Sequence, residues 1–178
     1  MATKTKQLDI IEPRDIFVGA PGAGIVVTAY IDYESEVCAQ LNEVLNELLK
    51  QYEGKVKLNI RHFPLTKVHQ HAMKAAEAAV AAGQEGKFWA MHNLLFHNRR
   101  RLGTISLKEY AREAGVTNKR FLDEMVNSTY GWQVRGDLLD ALDKGVREVP
   151  SVFVNEAVVK GKPTYAAISK LIDAALAA

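Results

Sequence analysis

The sequence predicts an α/β protein, one mixed sheet with helices packed on both of its faces. Three observations carry this expectation. A short, nearly continuous apolar run, Ile25 to Ile31, gives way to a helical pattern and then to a second run alternating at Val56, Leu58 and Ile60. Stretches with apolar residues three and four positions apart fill the middle of the chain. Near the end, two β-rich runs flank Asn155-Glu156 and lead into one more amphipathic segment.

Each element follows in order. Ile25 to Ile31 is rich in β-branched residues and reads as a strand covered on both faces. The helix after it spans about four turns. Its apolar positions are Val37, Cys38, Leu41, Val44, Leu45, Leu48, Leu49 and Tyr52, and Gly54 stops it. With the strand at Val56 to Ile60 this makes a βαβ unit, whose two strands run parallel through a right-handed crossover. The next helix covers 71–82 and ends at Gly83, and another over 87–98 carries Phe88, Trp89, Met91, Leu94, Leu95 and Phe96. Ser106 with Glu109 reads as a capping box ahead of Leu107, Tyr110 and Ala111. Helices over about 119–126 and 130–144 complete the block. Val152 to Val154 and Ala157 to Val159 form a hairpin around Asn155-Glu156, and Pro163 opens a terminal helix with Ile168, Leu171, Ile172 and Leu176 on one face. No repeat and no Pro/Gly/Ser linker divides the chain, so residues 1–178 read as one domain.

Composition removes several function classes. A single cysteine can form neither an internal disulfide nor a Cys-based zinc site. With no apolar core in the first residues, MATKTKQLDIIEPRDIFVG, the expected location is cytoplasmic. No run approaches the roughly 20 apolar residues of a membrane helix. A net charge of +2 is too small for a nucleic-acid footprint, and Arg99-Arg100-Arg101 reads as a solvated helix end. His69-Gln70-His71 brings two imidazoles together without a third ligand at matching spacing, so no metal is expected. His62, His92 and His97 read as surface or satisfied core residues.

The chemistry concentrates in Asp32-Tyr33-Glu34-Ser35-Glu36-Val37-Cys38, the link from the first strand to the first helix. In open α/β sheets the binding crevice lies beyond the carboxyl ends of the strands, and a helix N-terminus there stabilises negative charge. Ser35 is the residue placed to use that field, and it is equally suited to cap the helix. Cys38 falls three residues later on the apolar stripe with Leu41 and Leu45, facing the sheet. Burial disfavours its thiolate, and Glu34 and Glu36 oppose a second negative charge nearby, so Cys38 is expected to be a neutral, inward thiol. Pro150, in EVPSVFV, sits at a strand start where its missing N–H is tolerated.

The segment from about Pro13 to Leu176 resembles the DsbA-like branch of the thioredoxin superfamily. The resemblance is carried by VTAYIDYE, by RHFPLTKVHQHAMKAAEAAVAAGQEGKFWAMHNLLF and by GVREVPSVFVN. It implies a thioredoxin-like fold with βαβ and ββα halves and a mixed central sheet. The core is then formed by 7–62 and 146–178, and 63–145 is an inserted helical block. In that family the first-helix motif is Cys-x-x-Cys; here it reads Ser35-Glu36-Val37-Cys38, so the resemblance makes Cys38 the resolving cysteine and leaves the attacking one absent. It also assigns Val149-Pro150 to a cis-proline site whose backbone pairs with substrate, with Glu36 and Val37 lining the same surface.

Three functions follow from this resemblance. The first is a thiol-disulfide oxidoreductase, protein disulfide isomerase-like, acting on protein thiols and disulfides with at most monothiol or glutathione-linked chemistry. The second resembles kappa-type glutathione transferases, with Ser35 stabilising a glutathione thiolate. The third is a redox-inactive module that binds an extended peptide through the cis-proline surface. No bound cofactor is expected beyond glutathione as a co-substrate, and no nucleic acid or membrane partner.

Overall fold

The computed structural model describes residues 15–178. Positions 7–14 of the expected core, and the start of the resemblance at Pro13, lie outside the described residues. In chain order the elements are β1 (Phe17–Gly19), β2 (Ile25–Ile31), α1 (Glu36–Gln51), β3 (Val56–His62), α2 (Ala72–Gly83), α3 (Phe88–His97), α4 (Thr104–Glu113), α5 (Phe121–Val126), α6 (Gly131–Asp143), β4 (Ser151–Val154), β5 (Ala157–Val158) and α7 (Tyr165–Ala177).

The five strands form one sheet in the order β1-β3-β2-β4-β5. β2 and β3 are parallel, in register from Ile25 opposite Val56 to Ile31 opposite His62, as a βαβ crossover through α1 requires. β4 runs antiparallel to β2 and turns into β5 through Asn155, whose φ of 51° supplies the left-handed step of a tight hairpin. Helices α2 to α6 all fall between β3 and β4 in the chain, so the helical block is inserted between the βαβ and ββα halves.

The core explains the patterning. Val27, Ala29, Leu58, Ile60 and Val152 meet Leu41, Leu45 and Leu48 of α1 and Ile168 and Ile172 of α7 in one large buried cluster. Each of those leucines contributes roughly 1.5–3 kcal/mol by leaving water. Successive strand residues face opposite sides, and Tyr30 therefore joins a second cluster with Phe63, Ala141 and Val146. Helix α2 is buried on nearly all sides through Ala75, Ala76, Ala78, Ala79 and Ala82, and their small side chains let α3, α4, α5 and α6 crowd around it.

Several expectations need correction. β1 has no counterpart in the sequence reading: three residues are too few to show alternation, and its place is fixed by antiparallel pairing of Phe17 with Asn59. α4 starts at Thr104 after Gly103, so Ser106 lies inside the first turn and caps nothing. Pro163 precedes the terminal helix instead of opening it; Thr164 is the cap, accepting from Ala167 N. α5 begins at Phe121, two residues after the expected start at Lys119.

Candidate active site

The link from β2 to α1 places Ser35 and Cys38 in opposite environments. Ser35 is the N-cap of α1, in extended conformation, and its Oγ accepts from Cys38 N at 3.2 Å. Glu36 and Val37 are exposed in the first turn. Cys38 is fully buried, and its sulfur accepts from Asp32 N at 3.5 Å. Burial pushes the thiol up to about 11; hydrogen bonding from the Ser35 hydroxyl and Asp32 N–H pulls the other way, and the Asp32 carboxylate adds to the rise.

The acidic neighbour that acts on this sulfur is thus Asp32, not Glu34 or Glu36. Glu34 turns its carboxylate onto His71 N at 2.8 Å. Glu36 pairs with Arg99 at 3.1 Å, which also corrects the reading of the arginine triplet as wholly solvated. The pair is exposed on the Glu36 side and contributes little stability.

Asp32 is the residue that the sequence reading passed over. Its buried carboxylate accepts Glu34 N at 2.7 Å through Oδ1, and Leu65 N at 2.7 Å and His69 Nδ1 at 3.0 Å through Oδ2. One side chain therefore ties the α1 lead-in to the loop after β3. A carboxylate can be buried here because three donors replace its water shell. The signal was present in the sequence as a charge directly at the end of an apolar strand.

Tyr33, the next residue, begins a buried polar chain. Its hydroxyl donates to His92 Nδ1 at 2.8 Å, and His92 Nε2 donates to Asn42 Oδ1 at 2.9 Å. Asn42 and Asn46 both donate to Asn93 Oδ1, at 2.8 and 3.0 Å. On the other side of Tyr33, 3.4 Å away, lies His62 Nε2. His62 Nδ1 donates to Asp137 Oδ2 at 3.1 Å, and Arg61 bridges Asp137 to Asp15. Burial, with His62 second, holds His92 well below its ordinary 6.5, so the ring is neutral. Trp89 stacks on it at 4.6 Å. His62 and His92 are satisfied core residues, whereas His97 is exposed.

The Val149-Pro150 peptide bond is cis. β4 pairs Ser151 with Tyr30, so one further step of the register sets Pro150 beside Ile31, at the strand end that feeds the Ser35 loop. Val149 and Pro150 are half-buried, and Val149 packs against both apolar clusters. The fold thus gathers Ser35, Cys38, Val149 and Pro150 at one end of the sheet. Among the described residues no group of three or more His, Cys, Asp or Glu side chains is arranged to hold a metal ion.

Comparison with known proteins agrees with this geometry. The sequence model of the family described as thioredoxin matches residues 12–174. The chain is 34% identical over 175 residues to Na(+)/H(+) antiporter NhaA 3 of Salinispora tropica, a match covering 96% of this chain and 26% of that protein. The chain therefore spans about a quarter of the length of this curated relative. Among solved structures, a thioredoxin-like oxidoreductase from Silicibacter pomeroyi superposes with a TM-score of 0.82 at 24% identity, covering 94% of this chain and 95% of that one. The thiol-disulfide exchange protein α-DsbA2 from Wolbachia pipientis gives 0.77 at 18% identity, covering 89% and 86%. Sheet order, inserted helices and family match lead to one statement: the chain belongs to the thioredoxin family and has its DsbA-like fold.

Proposed function

We propose that this chain retains the substrate-recognition part of thiol-disulfide exchange and lacks the attacking part. It binds extended, cysteine-bearing protein segments at the Ser35 and Pro150 loops, with Glu36, Val37 and Val149 lining the same end of the sheet. Its own thiol contributes at most slow, monothiol chemistry. The observation that carries this reading is Cys38: it is the one cysteine in the sequence, it is fully buried, and burial pushes it up to about 11. Exchange needs an accessible thiolate to attack and a second thiol to resolve the mixed disulfide. Ser35 occupies the attacking position and has no such chemistry.

The test is native-state alkylation of Cys38 by iodoacetamide at pH 7.5, compared with the same chain in urea. A rise of two units, from 9.0 to about 11, lowers the thiolate fraction about 100-fold, so native alkylation is expected to be at least that much slower. Equal rates in the two states would overturn the reading. Binding of a labelled cysteine-containing peptide, weakened by Val37→Asp, supports the recognition half; unchanged binding would move the site elsewhere.

One observation favours a second reading, in which glutathione brings the missing thiol. The Ser35 hydroxyl caps the N-terminus of α1, where the helix dipole favours negative charge, which is the setting an external thiolate requires. Glutathione is then expected to raise the melting temperature of the native chain and not of Ser35→Ala. Among the described residues no helix is long and apolar enough to cross a membrane.

A further inference from the structure

We propose that His69, held by the buried Asp32 carboxylate, is the proton acceptor of this site and takes the S–H proton of a thiol arriving at Ser35. The inference rests on the reading that the chain engages thiols at the α1 lead-in, and it names the base that such a site needs.

The geometry is that of a carboxylate-imidazole dyad. Asp32 Oδ2 lies 3.0 Å from His69 Nδ1, and an ionised carboxylate only accepts, so Nδ1 carries the proton. In the neutral ring Nε2 is left with its lone pair. The Asp32 side chain is 0% exposed and that of His69 27% exposed, so the dyad has one end sealed in the protein and the other open to an incoming group. The His69 loop is tied to the Ser35 loop twice. The same carboxylate accepts Glu34 N at 2.7 Å, one peptide unit before Ser35, and Glu34 Oε2 accepts His71 N at 2.8 Å, binding the His69 loop to the Ser35 loop. Tyr33, Glu34, Lys67 and His71, the other titratable side chains of these two loops, form no side-chain hydrogen bond with the imidazole among the described residues.

A base is needed here because the chain's own sulfur cannot serve. A thiol entering at Ser35 must lose its proton before it can attack, and Cys38 is buried and protonated. In the step proposed, the S–H bond breaks and an N–H bond forms at His69 Nε2. The resulting imidazolium is paired with Asp32, and the sulfur keeps the electron pair. The thiolate then attacks a disulfide in a bound protein segment: one S–S bond forms, another breaks, and the departing sulfur takes the proton back from Nε2. The arriving thiol is oxidised to a mixed disulfide, the departing sulfur is reduced to a thiol, and the protein ends unchanged.

A thiol built into the site tests the base without any bound ligand. In a Cys38→Ala background, Ser35→Cys supplies one sulfur at the lead-in, and its alkylation by iodoacetamide is followed from pH 5 to 9. With His69 present the rate at pH 7 is expected to be about tenfold higher than with His69→Gln, whose amide can still donate to Asp32. Rates within twofold of each other overturn the proposal and assign the dyad a purely structural role. Should His69→Gln fail to fold, His69→Asn is compared in the same way, with the same two outcomes. Fast native alkylation of Cys38 in the unmodified chain would instead overturn the reading that the chain lacks an attacking thiol, and the Ser35→Cys comparison would still decide the role of His69.

Discussion

At the scale of single residues, the buried chain through Tyr33 carries the sharpest consequences. His92 is neutral in the folded protein well below its ordinary 6.5, because burial and the nearby His62 both disfavour its charged form. Below pH 6.5 the unfolded chain therefore takes up a proton that the folded chain refuses, and stability falls as pH falls. This residue's share of the slope rises to a limit of about 1.4 kcal/mol per pH unit well below pH 6.5. In urea unfolding at pH 5, 6 and 7, His92→Gln should show a shallower slope, most of all between pH 6 and 5, and an unchanged slope would show that His92 does not titrate as described. Tyr33→Phe removes the donor to His92 Nδ1 and leaves a buried acceptor unpaired, which should cost about 1–3 kcal/mol by the same measurement. Neither effect was legible in the sequence. His62 and His92 stand 30 positions apart, and only the packing of α3 against the β2 end puts Tyr33 between them.

At the scale of elements, α1 shows how far a periodic pattern reaches. Its apolar spacing placed Cys38 inward and Ser35 at the cap, and both positions hold in the structure. Replacing the cap, Ser35→Ala, removes the acceptor for Cys38 N and should destabilise the fold by about 1 kcal/mol, read from the urea midpoint. Ser106 shows the limit of the same logic. A Ser and a Glu three residues apart match a capping box, but α4 gains nearly another turn at its N-terminus because its cap is Gly103, three residues earlier. β1 was missed for a related reason: a three-residue edge strand is defined by its partner β3 and not by its own pattern.

At the scale of the whole molecule, a DsbA-like fold surrounds the Ser35-Glu36-Val37-Cys38 segment, and the proposed function gives Ser35 the position of the attacking sulfur. Ser35→Cys should therefore restore measurable disulfide reductase activity, with Cys38 one turn behind it to resolve the mixed disulfide. Absence of activity in a folded Ser35→Cys chain would mean that the surrounding frame has lost more than one residue. The amino-acid sequence by itself determined the α/β class, the order of the major elements and the inward phase of Cys38. These are properties of periodicity and of residue identity, both of which are local. Tertiary structure alone decided that Asp32 gathers Glu34, Leu65 and His69 on one carboxylate, that Arg99 meets Glu36, and that Tyr33 links two buried histidines. Each of those contacts except Asp32 with Glu34 joins residues at least 29 positions apart. Partners so distant in the chain are chosen by which buried donors and acceptors need one another once the sheet and helices have closed, and no local pattern records that choice.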